Sequence, residues 1–425
     1  MTATQMKIKP EIEPISRKII SDLIHAASPC ITVLLPPYRP GERGKPPAAR
    51  LKVDLQEAAK RLAARRVAAP LIVELLDPLY ELAQQEQSLG GSGLAQTICR
   101  SAEVFRQFEL PVPPSPGEAC VVGDCFWIRP TFRSLALPPK IYILELTKKS
   151  VALMVCGLNG TTRIGLPKGT PQTLEEALGF DAPDHDLINR SASGPSTGAM
   201  RGVQFGTGSG RETQHAYLHD FYRAIDRGIN EFLGNPRKTE CGAGQLPTHS
   251  AVRGAPFPLL PSNQATAAPA PLILTGVDED MAIYRSINTY SNLLEQGIHG
   301  SPGSAMPDSQ MLRHAHDIAS FSGERRVALE MAISKERLGP ARFSVDLKTI
   351  LRVAAEKRVS DLYLDESARR LGTFDGKIFG GSGNWHDEDL LNVAAVETLR
   401  GRGVVHSLPT HWMPRGAVAA AAFRF

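Results

Sequence analysis

Hydrophobic and polar positions follow two rhythms along this chain, three-to-four and two, and the switches between them predict a mixed architecture. Over 14–27, Ile15, Ile19, Ile20, Leu23 and Ile24 recur at helical spacing and predict a first helix. The apolar run 29–36, bounded by Pro29 and Pro36, reads as a short buried strand. A loop over 37–47 leads into a helix carrying Arg50, Lys52, Asp54, Lys60, Arg61, Arg65 and Arg66. A further helix over 70–87 puts Leu71, Leu75, Leu79 and Leu82 on one face. Strands are predicted at 94–99, 119–128, 141–146, 151–158 and 162–166, with Asn159-Gly160 as a hairpin turn. After residue 270 the pattern gives a strand at 271–276, then helices at 278–284, 310–334, 336–338 and 346–358. A strand at 360–364, a helix at 386–400 and strands at 403–409 and 417–425 complete it. Strand–helix alternation of this kind predicts an α/β class, mixed α+β, with helices packed on mixed sheets.

The sharpest change of pattern lies between 191 and 233. The stretch begins almost without apolar residues and runs through Arg201-Gly202-Val203-Gln204-Phe205-Gly206-Thr207-Gly208-Ser209-Gly210. From 213 to 233 it becomes amphipathic, with Leu218, Phe221, Tyr222, Ile225, Ile229, Phe232 and Leu233 spaced at three and four. Thr213 is the expected N-cap, and Gly234 with Pro236 the stop. A long glycine-rich loop ahead of an anchored helix is where binding residues collect. The other reading of the same composition is a surface insertion. The glycines do not make a phosphate cradle: no strand runs into them, and the Lys-Ser/Thr ending of a P-loop is missing.

Length and charge narrow the class. At about 150 residues per domain, 425 residues suggest three domains. The expected divisions are 1–138, 139–235 and 271–425, with the Pro/Gly-rich stretch 236–270 as linker. Within that linker, Gly242-Ala243-Gly244-Gln245 has no anchored helix behind it and is set aside as compositional. A net charge of +4 permits an RNA partner without demanding one. The strongest local basic bias falls in the first hundred residues, where Tyr38, Arg39, Arg43, Lys45, Arg50 and Lys52 form a candidate RNA-contacting patch. A solvated helix face is the competing reading.

The six cysteines, Cys30, Cys99, Cys120, Cys125, Cys156 and Cys241, are scattered and contain no C-x-x-C pair. They are expected to be free buried thiols in a reducing cytoplasm. No apolar leader and no run of about 18 apolar residues occurs, so a cytoplasmic chain without membrane partner is expected. His215 and His219 share a helix face at i, i+4 but lack a third ligand, and His314 and His316 diverge at i, i+2. No metal, cofactor or DNA partner is expected. The chain has no G-x-S-x-G and no H-E-x-x-H.

Arg201-Gly202-Val203-Gln204, followed by a short linker and a long amphipathic helix, resembles the central domain of archaeal and eukaryotic class I peptide-chain release factors. There the corresponding loop reads Arg-Gly-Gly-Gln, and its Gln helps water attack peptidyl-tRNA in the peptidyl-transferase centre. The resemblance continues along the chain to a bacterial family related to these factors, its third subfamily most closely. It is carried by Cys30-Ile31-Thr32-Val33-Leu34-Leu35-Pro36, Arg39-Pro40-Gly41, Arg50-Leu51-Lys52, Val121-Val122-Gly123-Asp124 and Leu272-Ile273-Leu274-Thr275-Gly276-Val277. The closing pieces Thr398-Leu399, Leu408-Pro409, Met413-Pro414 and Ala420-Ala421-Ala422-Phe423-Arg424-Phe425 match as well.

The resemblance implies three domains, the middle one like that of release factors and the last like that of Pelota-type rescue factors. It implies a ribosome-associated translation factor acting in termination, rescue or dormancy, with rRNA and peptidyl-tRNA as partners. Gln204 would be the catalytic residue, set in a loop with Arg201, Gly202, Val203, Gly206 and Gly208. Val203 stands where the family has Gly. A β-branched residue excludes the positive φ angles that Gly allows and adds bulk where backbone meets RNA. That change argues against peptidyl-tRNA hydrolysis and for binding alone. The alternative from another class is a cytosolic stress-related binding protein that uses the same scaffold away from ribosomes. The oligomeric state is left open.

Overall fold

The computed structural model describes residues 12–38, 46–85, 89, 94–112, 120–157, 160–178, 208–234, 269–300, 306–375, 379–380 and 387–425. The described chain separates into two compact units. The first joins residues up to 139 with 316–425; the second takes 140–234 with 269–315.

The chain enters the first unit with β1 (Ile12–Pro14), α1 (Arg17–Ile24) and β2 (Cys30–Leu35). Next come α2 (Pro47–Ala64), α3 (Ala69–Gln84), β3 (Ala95–Arg100), β4 (Phe105–Leu110), β5 (Cys120–Gly123) and α4 (Phe132–Leu135). The helix expected over 14–27 is shorter, because Ser16 caps it by accepting from the Ile19 N–H at 3.4 Å. The strands form one sheet in the order β1-β4-β3-β2-β5. β2 pairs antiparallel with both β3 and β5, Thr32 standing opposite Cys99 on one side and Val121 on the other. Strand β4, which the apolar pattern did not predict, pairs antiparallel with β3 and parallel with β1. One face of this sheet is covered by α2 and α3, whose Leu51, Leu55, Leu62, Leu75 and Leu79 are fully buried.

The second unit holds β6 (Ile141–Leu146), β7 (Val151–Cys156), β8 (Thr161–Ile164), α5 (Leu174–Leu178) and α6 (Gly208–Leu233). It continues with β9 (Leu272–Gly276), α7 (Asp278–Ile287) and β10 (Ile298–His299). Its sheet runs β10-β9-β6-β7-β8. Here the structure differs from the domain division expected above: β9, read as the opening strand of the last domain, lies parallel beside β6, with Tyr142 opposite Leu272. Apolar spacing marks a strand but says nothing about which sheet completes it.

The chain then runs through α8 (Asp308–Arg342), β11 (Phe343–Ser344), α9 (Leu347–Ala355), β12 (Val359–Asp365) and the short strands β13 (Leu371–Phe374), β14 (Phe379–Gly380) and β15 (Glu388–Asp389). It ends with α10 (Leu390–Arg400), β16 (Val404–Leu408) and β17 (Ala419–Phe423). Strands β11-β17-β12-β16 make a mixed sheet, antiparallel across β17–β12 and parallel across β12–β16. The α10 helix starts at Leu390, four residues later than the spacing suggested, because Asp389 caps it through the Leu391 N–H at 3.2 Å. The mixed α/β class expected from the sequence is the class observed.

The first unit is a single packing body built from the two ends of the chain. Ile19, Ile20, Phe108, Phe126 and Phe132 share one apolar core with Ile350, Leu351, Leu390, Leu391, Ala419 and Ala421. Polar groups lock the same junction. Arg129, 8% exposed, reaches Asp389 Oδ2 and the Asp365 carbonyl, each at 2.5 Å. Asn392 accepts from the Ile128 N–H at 2.9 Å and donates to the Phe126 carbonyl at 2.9 Å. Arg65, from α2, reaches Asp124 at 3.2 Å and Glu388 at 3.5 Å, and Glu388 also accepts from the Asp124 N–H.

Described cysteines Cys30, Cys99, Cys120 and Cys156 are buried and Cys125 half-buried, all as free thiols. Burial pushes Cys30 and Cys156 up to about 12, which makes them poor nucleophiles. Cys241 lies outside the described residues.

Two predictions follow from this junction. Arg129→Ala leaves Asp389 buried without its cation, and is expected to cost about 3–5 kcal/mol in urea unfolding. Burial raises the Glu388 carboxyl above its ordinary 4.5, against the lowering effects of the Asp124 N–H and Arg65. The folded state therefore holds this proton more tightly than the unfolded chain does. Its contribution to stability is complete below the ordinary carboxylate value and is lost as pH rises through the raised one. Stability measured across that window should fall with rising pH, and Glu388→Gln should flatten the fall.

Candidate functional site

Helix α6 is the element that fixes the sequence-predicted loop at one end. Leu218, Phe221, Tyr222, Ile225, Ile229 and Leu233 are all buried, as their spacing required, against Tyr142, Leu144, Leu153, Leu272 and Leu274 of the sheet. Tyr222 meets Tyr284 of α7 edge-on at 6.0 Å, and its hydroxyl donates to the Thr147 carbonyl at 3.3 Å. Burial pushes both phenols well above the ordinary tyrosine range, so they stay neutral donors.

One polar residue interrupts this apolar face. Asp226 is 3% exposed, and its carboxylate accepts from the Thr289 hydroxyl at 2.6 Å and the Thr289 N–H at 3.1 Å. It also accepts from the Tyr284 hydroxyl at 3.4 Å and Asn230 Nδ2 at 3.3 Å. Asn230 Nδ2 in turn reaches the Thr289 hydroxyl at 2.6 Å. A buried carboxylate supplied with this many donors is satisfied and directional, and it ties α6 to the turn after α7. Half a turn on, Gly228 allows the backbone to approach Thr170. A Cβ there would sit 2.0 Å from the Thr170 hydroxyl oxygen.

The helix begins at Gly208, five residues ahead of the expected cap at Thr213. Glycines at 208 and 210 argued locally for a later start, but propagation onto an anchored helix is far less costly than nucleation. Gly208 is thus the first helical residue. Arg201, Gly202, Val203, Gln204 and Gly206 lie outside the described residues, as do the side chains of 208–215, His215 among them. In sequence, Gln204 stands four residues before α6 begins.

The basic patch is only partly assembled by α2. Arg39, Arg43 and Lys45 lie outside the described residues, and Tyr38 is half-exposed just beyond β2. Arg50 and Lys52 are both exposed, on either side of the buried Leu51. Two positions on a helix differ by roughly 200°, so these side chains leave α2 on different faces. Arg61 and Arg65 turn inward instead: Arg61 reaches Glu57 at 3.2 Å and the Cys120 carbonyl at 3.1 Å, and Arg65 joins the junction described above. Four of the helix's cations thus divide between solvent and architecture.

Asp226 was missed from sequence. The signal was present, since a carboxylate one turn after Tyr222 in a buried stripe needs a partner. Among the described residues, no three His, Cys, Asp or Glu side chains are grouped to hold a metal ion, and no helix is long and apolar enough to cross a membrane.

Comparison with known proteins adds to this geometry. Residues 139–240 match the model of bacterial archaeo-eukaryotic release factor family 6, and residues 262–358 that of bacterial archaeo-eukaryotic release factor family 3. The kinship read from the sequence is therefore found over both stretches. The third subfamily holds for the later one, and the sixth replaces it over the stretch containing the loop and α6. No curated protein matches the chain.

Among solved structures, the archaeal translation termination factor aRF1 is similar at 11% identity and a TM-score of 0.23, covering 96% of each chain. Archaeoglobus fulgidus Pelota is similar at 11% identity and a TM-score of 0.35, covering 78% of this chain and 80% of its own. The archaeal Pelota in a model of ribosome-bound Pelota and ABCE1 is 7% identical with a TM-score of 0.32, covering 97% and 95%.

The Asp226 network yields a direct test. Asp226→Ala strands the Thr289 N–H and the Tyr284 hydroxyl in the core, and should cost about 1–3 kcal/mol in denaturant unfolding.

Proposed function

We propose that this protein is a ribosome-associated factor of the release-factor kind, acting in the cytoplasm in termination, rescue or dormancy, with the Gln204 loop directed at the peptidyl-transferase region. The observation that carries the reading is the family match over 139–240, which takes in both the loop and the helix behind it. A helix held by a buried carboxylate network suits such a task, because it gives a long loop one rigid end. Arg50 and Lys52 are suited to rRNA phosphates, and Tyr38 with Arg39, Arg43 and Lys45 would extend that contact through the adjoining loop.

The chemistry asked of Gln204 is orientation of a water against the ester of peptidyl-tRNA, a task of positioning rather than of proton transfer. Val203 narrows the backbone angles open to the residue before Gln204 and adds two methyl groups there. We therefore favour ribosome binding without hydrolysis.

Co-sedimentation of the full chain with ribosomes from its own host, at low and high salt, tests the reading first. Recovery with 70S or 50S particles that falls as salt rises is expected. Arg50→Ala with Lys52→Ala should reduce the slope of that salt dependence by about two phosphate contacts. Recovery only at the top of the gradient, from growing and starved cells alike, would reject the reading in favour of a non-ribosomal binding protein. Hydrolysis is tested on stalled complexes. The natural chain should release little peptide, Val203→Gly should gain release, and Gln204→Ala placed on top of it should abolish the gain. If Val203→Gly gains nothing, Val203 is not what blocks hydrolysis.

A further inference from the structure

The first unit encloses a cavity that neither the junction nor the proposed ribosomal contact uses. It is walled by Arg17 at the start of α1, Phe132 and Arg133 of α4, Glu324 and Arg326 of α8, and His406 of β16. Its volume is about 70 Å³. At roughly 10–15 Å³ per water-sized occupant, that holds about five heavy atoms and excludes anything as large as a nucleoside.

The wall is built rather than incidental. Phe132, Glu324 and His406 are each more than nine-tenths buried. The negative charge of Glu324 is committed to Arg133, which it meets at 2.9 Å. Arg133 is also held by Glu366 at 3.3 Å. His406 is stacked on Tyr363 with ring centroids 5.0 Å apart, and its Nε2 lies 3.7 Å from Asp361. That orientation leaves Nδ1 as the ring nitrogen for a ligand. Arg17 and Arg326 bring two further guanidinium groups to the rim, Arg326 only loosely drawn to Glu330 at 3.9 Å.

Gly323 is an independent pointer. It lies inside α8, where glycine weakens a helix, and it lines the cavity. A Cβ at this position would meet nothing within 4 Å. No close packing explains a bare backbone here; what the missing side chain does is leave the cavity open.

We propose that this cavity binds a small oxyanion of about the size of inorganic phosphate, with Arg17, Arg326 and His406 as its donors and Phe132 as its apolar floor. Guanidinium groups match the spacing of oxyanion oxygens, and burial on one side strengthens each charge-assisted bond. The site stands apart from the ribosomal reading and does not depend on it.

Isothermal titration of the full chain with sodium phosphate, in chloride buffer at constant ionic strength, tests it. One saturable site is expected. Gly323→Leu, which puts a side chain into the opening, should abolish binding while leaving the circular dichroism spectrum of the natural chain. Arg17→Ala with Arg326→Ala, both exposed at the rim, should weaken binding by about tenfold or more. If Gly323→Leu disturbs the spectrum, the arginine pair decides alone. Competition by a 5′-phosphorylated dinucleotide would identify the oxyanion as a nucleic-acid end, and lack of competition as a free ion; both outcomes keep the site. No saturation by about 10 mM phosphate, ten times a millimolar Kd, would overturn it. So would binding that neither variant changes.

Discussion

A guanidinium with almost no access to water sets the terms for the first unit. Moving Arg129 out of solvent costs several kcal/mol unless its donors are met, and they are met by residues more than two hundred positions away, Asp389 and the Asp365 carbonyl. Asp389 is itself fully engaged, since it caps α10 with the other carboxylate oxygen. Cap, ion pair and helix orientation are therefore one arrangement. Asn392, one turn into the same helix, repeats the logic with uncharged groups by holding the chain at Phe126 and Ile128. The apolar core supplies most of the driving force for this junction, and the polar groups choose its register.

The second unit solves a similar problem on a smaller scale. Its sheet covers one face of α6, and Asp226 fixes the helix by direction as well as by contact. A loop mounted on such a helix inherits a defined origin, which is how binding loops elsewhere acquire reach without losing aim. Gly228 contributes by letting the turn at Thr170 lie against the helix backbone.

Much of the fold was legible where burial imposed a period. The α6 face, the buried strand β2 and the leucine face of α3 were each readable because one side of the element is dry. Strand β4 was not, because Phe105-Arg106-Gln107-Phe108-Glu109-Leu110 alternates with polar residues that are themselves buried, Gln107 and Glu109 among them. Those side chains satisfy one another and Gln96 across the sheet, which apolar counting cannot detect. The sheet membership of β9 was equally hidden, since its partner β6 lies well over a hundred residues earlier. Arg61 and Arg65 read as a basic surface but serve as internal donors. Of the candidate site, the helix came from periodicity, whereas Gln204 came from a motif; no physical pattern in the surrounding glycines singles it out.

The discontinuity of the first unit has a consequence for how the protein is made. Its N-terminal sheet leaves the ribosome with Ile19, Phe108, Phe126 and Phe132 lacking the apolar partners that α9, α10 and β17 will supply. Those partners are encoded last, after the entire second unit has been translated. At roughly 5–20 residues per second, the wait is on the order of tens of seconds. During that interval a nascent sheet with one bare face must stay unaggregated while the second unit, whose β6-to-β9 pairing is complete by residue 276, can already close. Order of synthesis thus inverts order of completion: the part begun first is finished only when the final strand arrives.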